Sequence, residues 1–315
     1  MNASNDKILI TEIVHPILAQ MLTEAGFECT HLEKTTYEEV LPIIGDYVGL
    51  VVRSKIKVDE ALIKQGRNLQ FIGRTGSGME LIDTQYAQQR NIMCLNSPEG
   101  NCDSVAEQAI GMLLAILHNI VKSDRELRQQ LWQRLENTGT ELLGRTVGIV
   151  GYGNTGSAFA RRLQGFGVDV LAYDKYKTGY SNNWVRETDM HAIFSKADIL
   201  SLHIPFTAET RHLVNSAFIE RFAKPIYLIN TSRGEVVNTL DVLRALDSGQ
   251  LKGAAFDVFE NEDLHQFSEA DWQWYESLIR RNNVVLTPHT AGVSQESAYK
   301  MAFILGKKIL NFLKR

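Results

Sequence analysis

Three residues in the second half of this 315-residue sequence carry side chains suited to moving a proton beside an anionic substrate. Arg233 stands in NTSRGEVV, Glu262 closes AAFDVFENE, and His289 stands in LTPHTAG. Each follows a short apolar run that reads as a strand. A planar guanidinium fork suits a carboxylate and the carbonyl oxygen next to it. An imidazole beside a carboxylate is oriented by it and biased toward the imidazolium, which makes a proton donor near neutral pH. Taken singly, Arg233 reads equally as a surface arginine, Glu262 more readily as a solvated loop acid, and His289 equally as a structural histidine. Together they meet the needs of hydride transfer to a ketone: an anchor for the substrate, an acid, and a group that keeps the acid charged.

Such a reaction also needs a hydride carrier. Residues 151–156 read GYGNTG, between an apolar run, TVGIV, and a helical pattern. In this setting Gly151 allows the tight turn, Gly153 lets backbone approach a pyrophosphate, and Gly156 lets helix and strand pack closely. The helix start then offers N–H groups and a positive dipole end to phosphates. Asp174 closes the next strand-like run, eighteen residues past Gly156, where an acid that binds the adenosine ribose diol belongs. A carboxylate there also repels a 2′-phosphate, which favours NAD over NADP, although Lys175 and Lys177 soften the repulsion.

The elements that must position these groups alternate. Strand-like runs at 7–11, 49–52, 69–73 and 92–95 are separated by helical patterns at 16–25, 58–65 and 81–89. Alternation of this kind predicts a parallel sheet covered on both faces. The segment 103–132 then shows helical periodicity over an unusual length, with Asp103 or Ser104 as N-cap and Glu107 as a capping-box partner. A helix this long bridges domains, builds a dimer, or is a plain surface helix. A second alternation follows, with strands at 146–150, 169–173, 199–203, 227–230, 253–257 and 284–287 and a helix at 155–166. The reading is α/β, with two doubly wound parallel-sheet domains.

Composition narrows the function further. The length suits two domains better than one. A net charge of −4 and a pI near 6.1 give no support to a nucleic-acid partner. Cys29, Cys94 and Cys102 form neither a zinc spacing nor a disulfide framework, so no metal is expected and a reducing cytoplasm fits best. The first twelve residues lack the pattern of a signal peptide, and the apolar stretch 110–121 is too short and too polar to span a membrane.

GYGNTG with Asp174, then LHIPFTAET, NTSRGEVV, AAFDVFENE and TPHTAG, in that order over nearly the whole chain, resemble the D-isomer-specific 2-hydroxyacid dehydrogenase family. The resemblance implies a Rossmann NAD domain at 99–290, inserted in a flavodoxin-like substrate domain made of 1–98 and 291–315. A chain that crosses twice in this way lets closure of a cleft exclude water from the hydride path. It implies that Arg233 binds substrate and that Glu262 supports His289 as the acid and base. It also implies cofactor contacts from Gly151, Gly153, Asn154, Thr155, Gly156, Asp174, His203, Pro205, Thr231 and Asp257. RTGSG at 74–78 resembles the family loop whose N–H groups hold the substrate carboxylate, through Ser77 and Gly78. Arg53 and Ser54, in VVRSK, resemble its substrate-facing strand end. A homodimer is implied as well.

The resemblance is nearest to the phosphoglycerate dehydrogenase branch, in which an arginine at the position of Arg53 faces the substrate phosphate. That points to 3-phosphoglycerate and 3-phosphohydroxypyruvate, the entry to serine synthesis, with glyoxylate or hydroxypyruvate reduction and a D-lactate-type activity as alternatives. The stretch after His289 is too short for a regulatory domain. Glu80-Leu81 stands where the family has Asp-Asn, Asn238 where it has Asp, and Asp263 where it has Pro. The acidic, aromatic segment EADWQWYESL between Glu262 and His289 is also unusual. From another class, an NAD-sensing binding protein or a pseudoenzyme would keep the same residues without useful turnover.

Overall fold

The computed structural model describes residues 6–314, which fold as two units, one running to Cys102 and resuming at Val293, the other Asp103–Gly292. The reading of the extreme N-terminus, residues 1–5, lies outside the described residues.

In the first unit the strands are β1 (Lys7–Ile10), β2 (Glu28–His31), β3 (Gly49–Val52), β4 (Phe71–Arg74) and β5 (Met93–Asn96). They form one parallel sheet in the order β2-β1-β3-β4-β5. This is the flavodoxin-like order, with its reversal between β1 and β3. The helices α1 (Ile17–Glu24), α2 (Tyr37–Val40), α3 (Glu60–Gln65) and α4 (Thr84–Gln89) connect the strands. Leu9, Leu50 and Ile72 pack on one face of the sheet with Leu62 and Ile63. Ile8, Ile10, Val51 and Phe71 pack on the other with Leu18 and Leu22. This alternation along each strand is why the central runs are apolar at every position. At the edge, β2 reads ECTH and is largely exposed, so its residues carry no such run.

The second unit begins with α5 (Cys102–Leu117) and α6 (Ile120–Arg128). The single helix expected over 103–132 is two helices bent by 63°. Asn119 takes the left-handed conformation, φ 52°, which breaks the helix. The N–H of Thr140 then bonds the Leu117 carbonyl at 2.8 Å, so a returning strand of chain takes up the helix end. The periodic pattern persists past the break only because Ile120, Val121 and Leu127 continue it, and all three are exposed. The expected capping box is absent too. The helix starts at Cys102, Ser104 donates its hydroxyl to the Ala291 carbonyl at 2.7 Å, and Glu107 meets Arg162. Among the described residues no single helix is long and apolar enough to cross a membrane.

The strands of this unit are β6 (Thr146–Val150), β7 (Asp169–Tyr173), β8 (Arg186–Glu187), β9 (Ile199–Leu202), β10 (Ile226–Asn230), β11 (Leu251–Phe256) and β12 (Val284–Leu286). Their order, β8-β7-β6-β9-β10-β11-β12, is all parallel. It is the Rossmann order with one strand added, and it reverses between β6 and β9. The remaining helices of the unit are α7 (Asn154–Leu163), α8 (Met190–Lys196), α9 (Ser216–Ile219), α10 (Thr239–Ser248) and α11 (Glu269–Ile279). The last helix of the chain, α12 (Gln295–Phe312), returns to the first unit, where Leu305 and Ile309 join the core beside Ile8 and Ile10.

Candidate active site

Ligands of doubly wound sheets bind beyond the carboxyl ends of the strands, where the order reverses. The glycine loop follows β6 at that point. Gly151 has φ +93°, and a Cβ there would lie 2.3 Å from the His203 carbonyl oxygen, so only glycine fits. A Cβ on Gly156 would lie 2.0 Å from the Gly151 carbonyl oxygen, which fixes the contact between helix and loop. Gly153 differs, because a Cβ there would meet nothing within 4 Å. Its missing side chain leaves open space at the start of α7, which has no side-chain cap. Asn154 and Thr155 open this helix, and first-turn N–H groups have no partner within a helix.

Asp174 follows β7 and faces the same loop. One of its oxygens accepts the Tyr152 N–H at 2.7 Å, and the other accepts those of Tyr176 and Lys177 at 2.9 and 3.0 Å. Partial burial pushes its carboxyl up, but these three N–H groups and the Lys177 charge more than offset that and hold it below its ordinary value. The group is a fixed anion, and three donors leave one of its acceptor sites for a ribose hydroxyl. The Thr231 hydroxyl oxygen is buried and has no hydrogen-bond partner. An open glycine loop, a fixed anion past the second strand and an orphaned hydroxyl past β10 fit an NAD molecule.

His203 follows β9, with its ring turned into the core. Nε2 lies 2.9 Å from the Ser201 hydroxyl, and the ring packs against Phe159. Burial pushes the imidazole down to about 3, so it is neutral. Its backbone, not its ring, borders the glycine loop. Pro205 begins the next turn, where its carbonyl accepts the Thr210 hydroxyl at 2.8 Å.

The three residues expected to carry the chemistry follow adjacent strands. Arg233 follows β10, and Asn230 fixes its turn. The Asn230 side chain donates to the Arg233 carbonyl at 2.9 Å and accepts the Ser232 N–H and hydroxyl at 3.0 and 2.7 Å. One guanidinium nitrogen donates to the Ser232 carbonyl at 2.7 Å. Next to it, a Cβ on Gly234 would lie 1.9 Å from the Phe259 carbonyl, so this turn rests directly on the loop that follows β11. That loop carries Glu262. Its Oε1 accepts the Phe259 N–H at 3.3 Å, and its Oε2 lies 2.7 Å from Nδ1 of His289.

His289 follows β12 with φ 54°, a conformation rare outside glycine but one that histidine enters more readily than most residues. Asp257, almost fully buried, holds it there. The Asp257 carbonyl accepts the His289 N–H at 2.8 Å. Its carboxylate accepts the N–H groups of Thr290 and Ala291, each at 2.9 Å, the Thr287 hydroxyl, and the Gln108 amide at 3.0 Å. The hydrogen bond that Nδ1 donates to Glu262 raises the imidazole above its ordinary value; burial opposes this, the charges of Glu262 and Asp257 reinforce it, and Arg233 opposes it. The arrangement is an imidazole biased toward its protonated form by a carboxylate, with the Arg233 charge opposing. It can give a proton to an oxygen and take it back.

In the first unit, the backbone after β3 wraps a buried carboxylate that sequence reasoning missed. Glu12 accepts the N–H groups of Arg53, Ser54 and Lys55 at 2.8–3.0 Å, and the Ser54 hydroxyl at 3.1 Å. Burial raises this carboxyl, and the backbone donors outweigh the burial and lower it. Ser54 is thus turned toward Glu12. Arg53 extends a guanidinium nitrogen to the Ile13 carbonyl at 3.3 Å. Arg74 donates to the Arg53 carbonyl at 2.9 Å and pairs with Glu80 at 3.2 Å. Ser77 and Gly78 stand in the loop after β4, where the Ser77 hydroxyl donates to Asn101 at 2.8 Å and its carbonyl accepts from Asn96 at 2.6 Å.

Asn230, Gln108 and Glu12 were not singled out in the sequence. The last left a signal, an acid directly after an apolar strand. The other two did not, because a part-buried amide in a helix or a buried one at a strand end looks like any polar residue until its partners are known.

Residues 110–291 match the family described as D-isomer specific 2-hydroxyacid dehydrogenase, NAD binding domain. The chain is 35% identical over 283 residues to a hydroxypyruvate reductase of Thermotoga maritima, covering 90% of this chain and 89% of the relative. It is 31% identical over 310 residues to a D-3-phosphoglycerate dehydrogenase of Archaeoglobus fulgidus, covering 98% of this chain but only 57% of that relative. Among solved structures, a D-lactate dehydrogenase of Aquifex aeolicus complexed with NAD and lactic acid is similar over 98% of this chain and 95% of its own, with 26% identity and a TM-score of 0.82.

Proposed function

Because the chain belongs to the D-isomer-specific 2-hydroxyacid dehydrogenase family, we propose that it interconverts a D-2-hydroxy acid and its 2-oxo acid, with 3-phosphoglycerate and 3-phosphohydroxypyruvate, at the entry to serine synthesis, as the substrate pair. The observation that carries this reading is the contact of Glu262 with Nδ1 of His289, beside the Arg233 turn. Bound NAD would supply or accept the hydride at C2. In reduction, His289 protonates the carbonyl oxygen through Nε2 as the hydride arrives, and in oxidation it removes the hydroxyl proton. Glu262 keeps the ring oriented and charged. Arg233 binds the substrate carboxylate and polarises the carbonyl. Asn154, Thr155, Thr231, Pro205 and Asp257, with the backbone of His203, hold the cofactor. In the first unit, the N–H groups of Ser77 and Gly78 serve the carboxylate, and Arg53 serves the distal phosphate.

A second reading, reduction of an unphosphorylated acid such as hydroxypyruvate or glyoxylate, draws on one observation. Glu80 neutralises Arg74 beside Arg53, and a carboxylate there disfavours a phosphate. Oxidation of NADH against 3-phosphohydroxypyruvate, hydroxypyruvate, glyoxylate, pyruvate and 2-oxoglutarate separates the two. A kcat/KM at least about tenfold higher for the phosphorylated acid, roughly 1.4 kcal/mol of discrimination, supports the first. A preference for hydroxypyruvate or glyoxylate overturns it in favour of the second. NADH binding without turnover on any acid would point to an NAD-sensing protein.

We assign the protein to the cytoplasm as a homodimer. The exposed residues Ile120, Leu127, Trp132, Leu135 and Leu143 fall on α6 and the turns after it, and Trp132 and Leu135 are 83% and 80% exposed. So much apolar surface in one segment calls for cover, and a second copy of this segment supplies it symmetrically.

A further inference from the structure

The connection between β11 and β12 holds α11, built from the acidic and aromatic segment that departs from the family pattern. None of its side chains enters the chemistry described above. Two of them grip the loop that carries Glu262. The Phe259 ring lies against Trp274, centroids 6.4 Å apart and nearly parallel, and edge-on to Tyr275 at 6.5 Å. Trp274 is 7% exposed, at the centre of a cluster that also takes in Phe267. On the other side of Glu260, the Asn261 amide donates to Asp271 at 3.3 Å. Asp271 is itself fixed by the Ser268 N–H and hydroxyl, at 2.9 and 2.7 Å, and by the Trp274 indole N–H at 3.1 Å. Glu260, between them, is held by the Thr239 N–H at 2.8 Å and by His212 at 2.6 Å. Three consecutive residues thus point away and are anchored, and the fourth, Glu262, is left facing His289.

We propose that Trp274 and Asp271 are positioning residues, which hold the 259–261 loop from outside so that the Glu262 carboxylate stays in contact with His289. The proposal rests on the assignment of Glu262 and His289 above. Its physical basis is that a partly exposed carboxylate on a loop has many rotamers, and a hydrogen bond to one nitrogen survives only if the backbone beneath it is fixed. The ring stack fixes the loop at Phe259 and the Asp271 amide contact fixes it at Asn261.

The test is the titration of the His289 ring by NMR in the full-length protein, alone and with NADH bound, for wild type, Trp274→Ala, Trp274→Phe and Asn261→Ala. In the alanine variants the ring titrates at lower pH than in wild type, and the alkaline limb of 2-oxo acid reduction moves down with it. A drop of one pKa unit makes turnover on that limb about tenfold slower. The NADH dissociation constant stays within about twofold, well under the 1.4 kcal/mol of a tenfold change. Trp274→Phe, which keeps a ring against Phe259, recovers most of the shift. In a Glu262→Gln background the alanine changes move the His289 titration no further. Unchanged His289 titration in both alanine variants overturns the proposal, as does an equal shift in the Glu262→Gln background. Should Trp274→Ala fail to fold, Asn261→Ala decides. The NMR readout stands even if wild type reduces none of the acids tested, an outcome that would overturn the proposed function and not this contact.

Discussion

The N–H of His289 is given to the Asp257 carbonyl at 2.8 Å, while the Asp257 carboxylate takes the N–H of Thr290, the next residue along, at 2.9 Å. One buried residue thus holds both sides of a histidine whose backbone is in the left-handed region. The backbone of His289 is held by Asp257, and its ring is oriented and held toward the charged form by Glu262.

Removal of the acid separates binding from chemistry. His289→Ala is expected to lower turnover by about 10²–10⁴-fold, the usual contribution of a positioned acid or base. NADH affinity, read by fluorescence titration, stays near that of wild type. Unchanged turnover would sink the assigned mechanism.

The pH dependence follows from the sign of the His289 shift. Its imidazolium is stabilised by Glu262, so reduction, which needs the protonated ring, persists above the ordinary histidine range and falls as pH rises past the raised value. Oxidation needs the neutral ring and rises over the same interval. Glu262→Gln moves both limbs to lower pH, and pre-steady-state rates on either side of neutrality measure it.

The Asp257 clamp is also structural. Asp257→Ala leaves the N–H groups of Thr290 and Ala291 without their acceptor, a loss of about 1–3 kcal/mol for each buried donor left unmade. Thermal unfolding should show a lower midpoint, and NADH should restore part of it by mass action. A midpoint equal to that of wild type would remove the clamp from the argument.

Glu80 decides between the two substrate readings. Glu80→Gln is expected to raise kcat/KM for 3-phosphohydroxypyruvate by releasing Arg74 from its carboxylate, on the order of tenfold if the coupling is about 1.4 kcal/mol. Hydroxypyruvate, without the phosphate, should gain much less. Equal gains for the two acids would show that Glu80 does not read the distal group.

Assembly is tested at the exposed segment. Trp132→Glu with Leu135→Glu should convert a dimer to monomers in light scattering while leaving far-UV circular dichroism unchanged. A wild-type monomer at all concentrations would overturn the assignment.

The fold was legible where burial acts on both faces of a strand. Residues 49–52, 146–150 and 169–173 were read at their true limits because each is apolar and fenced by glycine or charge. Of the edge strands, β5 and β12 were read to within one residue, but β2 and the two-residue β8 were not, since they carry no apolar run. The break at Asn119 was hidden because the exposed apolar residues of α6 extend the period of a buried helix. At the site, the glycine loop and Asp174 stood out by type and spacing and Arg233, Glu262 and His289 by type and place after strands, whereas the other proposed contacts were implied only by resemblance. The residues that hold them did not stand out: Gln108 acts through Asp257, Thr287 and Thr290, all distant in sequence, and the short-range contacts of Asn230 and Asp271 follow from turn and cap geometry that residue type alone does not reveal. EADWQWYESL was noticed as unusual, but its ring stack on Phe259 is a tertiary fact.

Arg233, Glu262 and His289 leave the sheet at the ends of β10, β11 and β12, which lie side by side. Neighbouring parallel strands are about 4.8 Å apart, so the spacing of the three strand ends is inherited from the backbone ladder, while the connections set how each side chain is held. A change confined to the stretch that folds into α11 would leave the three residues at the same strand ends and alter only how firmly Glu262 is held.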